Sequence, residues 1–120
     1  MLADGGPLFL QIVEQVEAAI LDGSLPEESQ APSTNELAAF HRVNPATAAK
    51  GLTQLTAAGI LYKKRGIGMF VTTGAREQLL RRRREQFENA FVVPLLREAT
   101  KLGVSPAELR AMIVQCEARS

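Results

Sequence analysis

Between Ser33 and Val71 the chain carries two helix-start signals in close succession, then two strand-like runs joined by a glycine-rich tip. That stretch has no acidic residue after Glu36. Few folds accommodate this order. Ser33-Thr34-Asn35-Glu36 has capping-box spacing: the Ser33 hydroxyl can accept from the third free amide of a helix while Glu36 reaches back to the Ser33 amide. The helix that follows, through Phe40, is short. Asn44 then supplies a second N-cap, and Pro45 stands at the first helical position, where its missing N–H costs nothing. Ala48, Leu52 and Leu55 keep one face apolar, and Gly59 is placed to end the helix. Two short helices joined by a tight turn, the second with a polar N-terminus, form the arrangement that lets a helix enter the DNA major groove.

The next residues complete the unit. Ile60-Leu61-Tyr62-Lys63-Lys64 and Met69-Phe70-Val71-Thr72 have strand composition and flank Arg65-Gly66-Ile67-Gly68, whose glycines supply positive φ. A basic, glycine-tipped hairpin directly after such a helix reads as a wing. Its backbone can approach phosphates closely where no Cβ intervenes.

Ala31-Pro32-Ser33-Thr34-Asn35-Glu36-Leu37-Ala38, Val43-Asn44-Pro45-Ala46-Thr47, Gly59-Ile60-Leu61 and Gly66-Ile67-Gly68-Met69-Phe70-Val71, in that order, resemble the winged helix-turn-helix of GntR-type bacterial transcription regulators. The short chain with a small helical tail is similar to the YtrA-like subgroup. The motifs cover residues 7–73; residues 74–120 are similar only in length and helical character. The resemblance implies a mostly α fold with a small β-hairpin: an N-terminal winged helix-turn-helix DNA-binding domain (1–73) followed by a short C-terminal helical dimerisation extension (74–120). It also implies a homodimeric repressor that binds double-stranded DNA at a pseudo-palindromic operator.

On the second helix the exposed candidates for DNA contact are Asn44, Ala46, Thr47 and Lys50, and free amides at that N-terminus would favour a phosphate. Thr47 matches the family's motif threonine and could bond a phosphate or pack its methyl on thymine. Its plainer role would be to cap the helix, as Asn44's is. Lys50 can reach a phosphate or a guanine edge. Ser33 and Thr34 are placed for backbone anchoring, and Arg65 and Gly66 for the minor groove. Lys64 is a further wing candidate; Lys63 and Lys64 also fit a simply solvated face. Asn35 stands where most family members have a DNA-contacting arginine, and Ala46 and Ala49 where larger polar or basic residues are common. Arginine-to-guanine readout is thereby weakened, and the Asn35 amide could instead read adenine.

Charge is segregated along the chain. The formal net charge is +1, yet residues 1–36 hold seven acids and no Lys or Arg, while residues 37–76 hold six bases (Arg42, Lys50, Lys63, Lys64, Arg65, Arg76) and no acid. Positive potential therefore collects on the segment that would read DNA. Arg81-Arg82-Arg83-Arg84 contributes less than it promises, because four consecutive positions sweep most of the way round a helix. No apolar run approaches the roughly 20 residues of a membrane span, no secretory leader is evident, and Cys116 alone fits a reducing compartment, so the expected setting is cytoplasmic.

The flanks read as helices. Pro7 opens one that runs to about Asp22, with Leu8, Ile12, Val13, Val16, Ala19 and Ile20 at helical spacing and Gly23 as the stop. Phe9 is expected in the core or on the base of the wing. A short strand near Gln30-Ala31 would pair with the wing. After Gly74 a helix runs to about Leu102, with a kink or break expected near Val93 because Pro94 interrupts it. Ser105-Pro106-Ala107-Glu108 then starts a last helix. These two helices hold too few residues for a core of their own. Leu80, Phe87, Phe91, Leu95, Leu96, Leu102, Leu109, Met112 and Ile113 are therefore the expected dimer interface, within residues 80–116, unless both helices fold back on the winged domain. A tail of about 45 residues is too short for an enclosed effector domain, which leaves a small-molecule effector only a small pocket at that interface.

No catalytic set emerges. His41 is the sole histidine and has no Cys or carboxylate at ligand spacing, and Gly66-x-Gly68 belongs to a hairpin, not a nucleotide loop. No cofactor is expected. The competing reading is a winged-helix module for protein assembly without specific DNA binding, which an acidic or apolar face over residues 42–65 would have favoured.

Overall fold

The structure, a computed structural model, describes residues 7–120; the first six residues of the 1–73 segment lie outside the described residues. The chain divides into two compact units, one running to Arg81 and the other Arg82–Ser120.

The first unit is built on α1 (Leu8–Leu21), α2 (Thr34–His41) and α3 (Pro45–Ala57). Ile12, Val13, Val16 and Ile20 recur at helical spacing on α1 and are all buried against the rest of the core. Ala48, Gly51, Leu52 and Leu55 form the matching buried face of α3. Both caps read from the sequence are present. Ser33 accepts from the Glu36 amide at 3.1 Å while its own amide donates to Glu36 Oε1 at 2.8 Å. The Asn44 side chain accepts from the Ala46 amide at 2.8 Å. Between these helices the turn passes through Arg42 in the left-handed region (φ 55°, ψ 47°), and the Val43 amide returns to the Ala38 carbonyl.

The hairpin follows as β1 (Leu61–Lys64) and β2 (Gly68–Val71), antiparallel, with Leu61 opposite Val71 and Lys63 opposite Met69. Period-two alternation sends Leu61 and Val71 into the core and Tyr62 and Phe70 to the other face. In place of the short strand expected near Gln30-Ala31 there is a single β-bridge onto the wing. Gln30 bridges Phe70, and the Glu28 and Ala31 amides donate to the Val71 and Met69 carbonyls, each at 2.8 Å. A two-stranded hairpin is marginal in water, so this third edge matters to the wing.

Phe9 is neither in the core nor at the base of the wing: it is half-buried, with the Lys50 ammonium 4.3 Å from its ring centroid on the α3 side. A cation over an aromatic face explains the placement.

α4 (Ala75–Phe87) begins inside the winged unit. Ala75 and Leu79 are fully buried in the same core as α1 and α3, and the Gln78 side-chain Nε2 donates to the Ala58 carbonyl at 3.1 Å. The boundary between the units thus falls within α4. The interruption expected near Val93 takes the form of a π-helical turn, Glu88–Val92, followed by α5 (Val93–Lys101). Pro94 cannot donate to a carbonyl upstream, and the wider register, with the Val93 amide on the Glu88 carbonyl, absorbs that loss without ending the helix. α6 (Pro106–Arg119) opens on a second capping box, Ser105 with Glu108. In the second unit the buried apolar residues among those described are Ala99 and Leu109.

Candidate nucleic-acid interface

The N-terminus of α2, one flank of α3 and the wing enclose an open groove of about 720 Å³. Ser33, Thr34 and Asn35 form its first wall, Ala49, Thr53 and Thr56 its floor, and Lys63, Ile67 and Met69 the wing side. Among the described residues no carboxylate lines it. Beside the groove, α3 presents Ala46, Lys50 and Thr53 as an exposed stripe at helical spacing. A helix about 20 Å long and ~10–12 Å across matches the width of a DNA major groove.

Ser33, Asn35, Asn44, Ala46, Lys50, Arg65 and Gly66 are exposed; Thr34 and Thr47 are half-buried. Ser33, Thr34 and Asn35 line one groove with α3 and the wing. Thr47 is not the cap of α3, a role that Asn44 fills. The free amides expected at the start of α3 are not free. Pro45 has none, the Ala46 amide is held by the Asn44 side chain, and the Thr47 amide bonds the Asn44 carbonyl at 2.9 Å. An anion at this helix end would have to be met by side chains, which shifts weight onto Thr47 and Lys50.

The two wing lysines part company. Lys64 lies on the face of the hairpin away from the groove, its ammonium 4.1 Å from the Phe70 centroid and 5.9 Å from that of Tyr62. Lys63, which shares a face with buried Leu61, lines the groove instead. Period-two counting from Leu61 identifies it, as helical counting from Ala46 through Lys50 identifies Thr53. Arg76 is also engaged away from any ligand: its Nε donates to the Leu21 carbonyl at 3.0 Å and its amide to Glu27 at 3.3 Å. Of the six bases in residues 37–76 all but Lys64 are exposed, and with Arg76 engaged by Leu21 and Glu27 the exposed cations beside the groove are drawn from Arg42, Lys50, Lys63 and Arg65. Arg81, for its part, pairs with Glu77 at 3.6 Å.

At the base of the wing a carboxylate does structural work. Glu28 accepts hydrogen bonds from the Tyr62 and Thr73 hydroxyls, tying the loop before α2 to both ends of the hairpin. The Thr73 bond, then the Tyr62 bond, hold its carboxyl below the usual value, with the Lys64 charge adding to the effect; the bond to Glu28 raises the Tyr62 phenol. The acids nearest the wing are thereby occupied at its base, outside the groove.

Residues 8–71 match the family described as "Bacterial regulatory proteins, gntR family". Among similar proteins are two Bacillus subtilis (strain 168) repressors, the HTH-type transcriptional repressor NagR (34% identical) and the HTH-type transcriptional repressor YtrA (31%). Each aligns over 74 residues, 62% of this chain. The matched region spans only 30% of NagR and 57% of YtrA. A crystal structure of a GntR-family transcriptional regulator from Bacteroides thetaiotaomicron is similar over 93% of this chain and 97% of that one, with TM-score 0.78 and 33% identity. The DNA-binding domain of AraR, solved with operator ORR3, is 30% identical over 53% of this chain and 77% of its own, with TM-score 0.51. The family and these relatives are transcription regulators rather than enzymes. With its capped helix pair and wing in the order the family requires, this chain belongs to the GntR family of bacterial regulatory proteins.

Proposed function

We propose that the chain is a sequence-specific repressor, cytoplasmic and homodimeric, that grips a pseudo-palindromic operator with two copies of α3 and two wings. The observation that carries this reading is the carboxylate-free groove that joins the start of α2, the flank of α3 and the wing. An electrostatic field without opposing charge is what a phosphate backbone requires. The operator complex of the AraR domain supports the DNA partner, and the repressor relatives support the direction of control. Asn35, exposed at the mouth of the groove, offers an amide suited to an adenine edge. The second unit supplies the dimer contact through the apolar residues of α4 to α6.

The test is selection of duplexes from a random DNA pool by the purified protein, at physiological and at higher salt. A two-fold symmetric motif with steep salt dependence is the expected result. Thr47→Ala combined with Lys50→Ala should then weaken that duplex by roughly a hundredfold, two base or phosphate contacts being lost, with the oligomeric state unchanged. Normal binding by the double variant would show that α3 is not the reading helix, and a pool without any motif would count against DNA readout altogether.

A further inference from the structure

Turn tips are ordinarily built from Gly, Asn, Asp and Ser, yet the tip of this wing carries a β-branched apolar residue. Ile67, between Gly66 and Gly68, is 63% exposed. Its amide closes the turn onto the Lys64 carbonyl at 2.9 Å. Its carbonyl accepts a hydrogen bond from the Gln30 side-chain amide at 3.0 Å, across 37 residues of sequence. Gln30 is itself fixed, because its backbone bridges Phe70 and its neighbour Ala31 donates to Met69. The strut has shaped the residue beside it: a Cβ on Gly68, whose φ is +144°, would lie 2.6 Å from the Gln30 Nε2 atom. The tip is therefore braced from outside the hairpin, and what it holds out beside Arg65 is a hydrocarbon surface on the lip of the groove.

We infer that Ile67 is an apolar contact for the minor groove of DNA, and that Gln30 is the positioning residue that sets its reach. This rests on the DNA reading proposed above and deepens it. An aliphatic side chain cannot bond a phosphate or a base edge. It reads groove width and the ease with which a base step opens, as the apolar wedges of minor-groove binders do. The wing then adds sequence preference through shape, while Arg65 supplies charge next to it.

The experiment compares duplex selection and affinity for wild type, Ile67→Ala, Gln30→Met and the double variant, using the best duplex recovered by the wild type. Methionine keeps the length of Gln30 and removes its donor. Ile67→Ala should keep the base preferences read by α3, lose those at the flanking positions under the wing, and weaken binding by about fivefold, as expected for part of an apolar side chain. The slope of log affinity against log salt should not change, since no phosphate contact is removed. Gln30→Met should cause a similar loss in the wild-type background and no further loss beside Ile67→Ala. A role confined to stability would instead lower the melting temperature equally in both backgrounds without moving the flanking preference. Flanking preferences that survive Ile67→Ala, or losses that simply add in the double variant, would overturn the inference while leaving the DNA reading intact. A wild-type pool with no motif would overturn both.

Discussion

Glu28 adopts a left-handed backbone (φ 64°), a conformation that costs a non-glycine residue roughly 1–2 kcal/mol. Three bonds hold it there: its amide to Val71 and its carboxylate to Tyr62 and Thr73. Nothing in Glu27-Glu28 marks that role in the sequence, where both read as loop acids, because the partners lie 34 and 45 residues away. The linkage has a definite sign. Glu28 titrates below its ordinary value of 4.5 in the folded protein, so its stabilising effect is complete above that value and is lost as pH falls through the lowered one. Tyr62 is raised above 10.0, so its share is complete below that value and is lost as pH rises through the raised one. Urea midpoints for wild type and Glu28→Gln should therefore differ at pH 7 and converge toward pH 3. A gap of equal size at both values would mean that the ionised carboxylate is not what holds the base of the wing.

Elements here meet at one tight point. A Cβ on Gly51 would stand 3.1 Å from Ile12 Cγ2 and 3.2 Å from the Phe9 carbonyl, so α1 and α3 approach as closely as glycine allows. Gly51→Val should push the helices apart and lower stability by about 1–3 kcal/mol, a fall of several degrees in a thermal melt. For Gly51→Ala the crowding is offset by about 1 kcal/mol of helix propensity, and its melt should lie much nearer the wild type. If valine melts like wild type, the contact between α1 and α3 is looser than these distances indicate. This junction was not legible in the sequence, where Gly51 is only a gap in an apolar stripe. The two caps, the end of α3 at Gly59 and the hairpin were legible, because each is decided within a few neighbouring residues. Pro94 announced a disturbance but not its kind; a π turn, a kink and a break all satisfy a missing N–H. In the candidate site the walls were legible and the facing was not. Lys63 and Lys64 are equivalent by composition, and only the register fixed by buried Leu61 and the rings of Tyr62 and Phe70 separates them. The amides of the α3 start, likewise, could be judged free or occupied only once the Asn44 side chain was placed.

At the scale of the whole chain the two units differ in how they bury apolar surface. The winged unit closes a core that runs from Ile12 on α1 to Leu79 on α4. In the second unit Phe87, Phe91, Leu95, Leu96, Leu102, Met112, Ile113 and Val114 are between 43% and 69% exposed, beside Ala99 and Leu109 as its buried apolar residues. Full burial of one such side chain stabilises by about 1.5–3 kcal/mol, so a segment that leaves this many uncovered gains strongly from a partner surface. A second copy supplies an identical one, and two-fold pairing closes on itself. The residues expected from the sequence at the interface divide in their burial: Leu109 is already buried within the chain and Leu80 is half-buried in the winged unit, while the other seven remain to be covered. Sedimentation equilibrium should therefore give about 26 kDa, twice the 13.0 kDa chain. Phe91→Asp with Ile113→Asp removes two large apolar contacts per copy and places charge in their stead. It should raise the dimer dissociation constant by more than roughly a hundredfold. Neither residue belongs to the core of the winged unit, so the melt of that unit should be unchanged. The selected duplex would then be bound as separate half-sites, with the symmetric preference weakened and the half-site preference retained. A wild-type mass of one chain would remove the dimer from the reading, and α5 and α6 would then have to find their cover elsewhere.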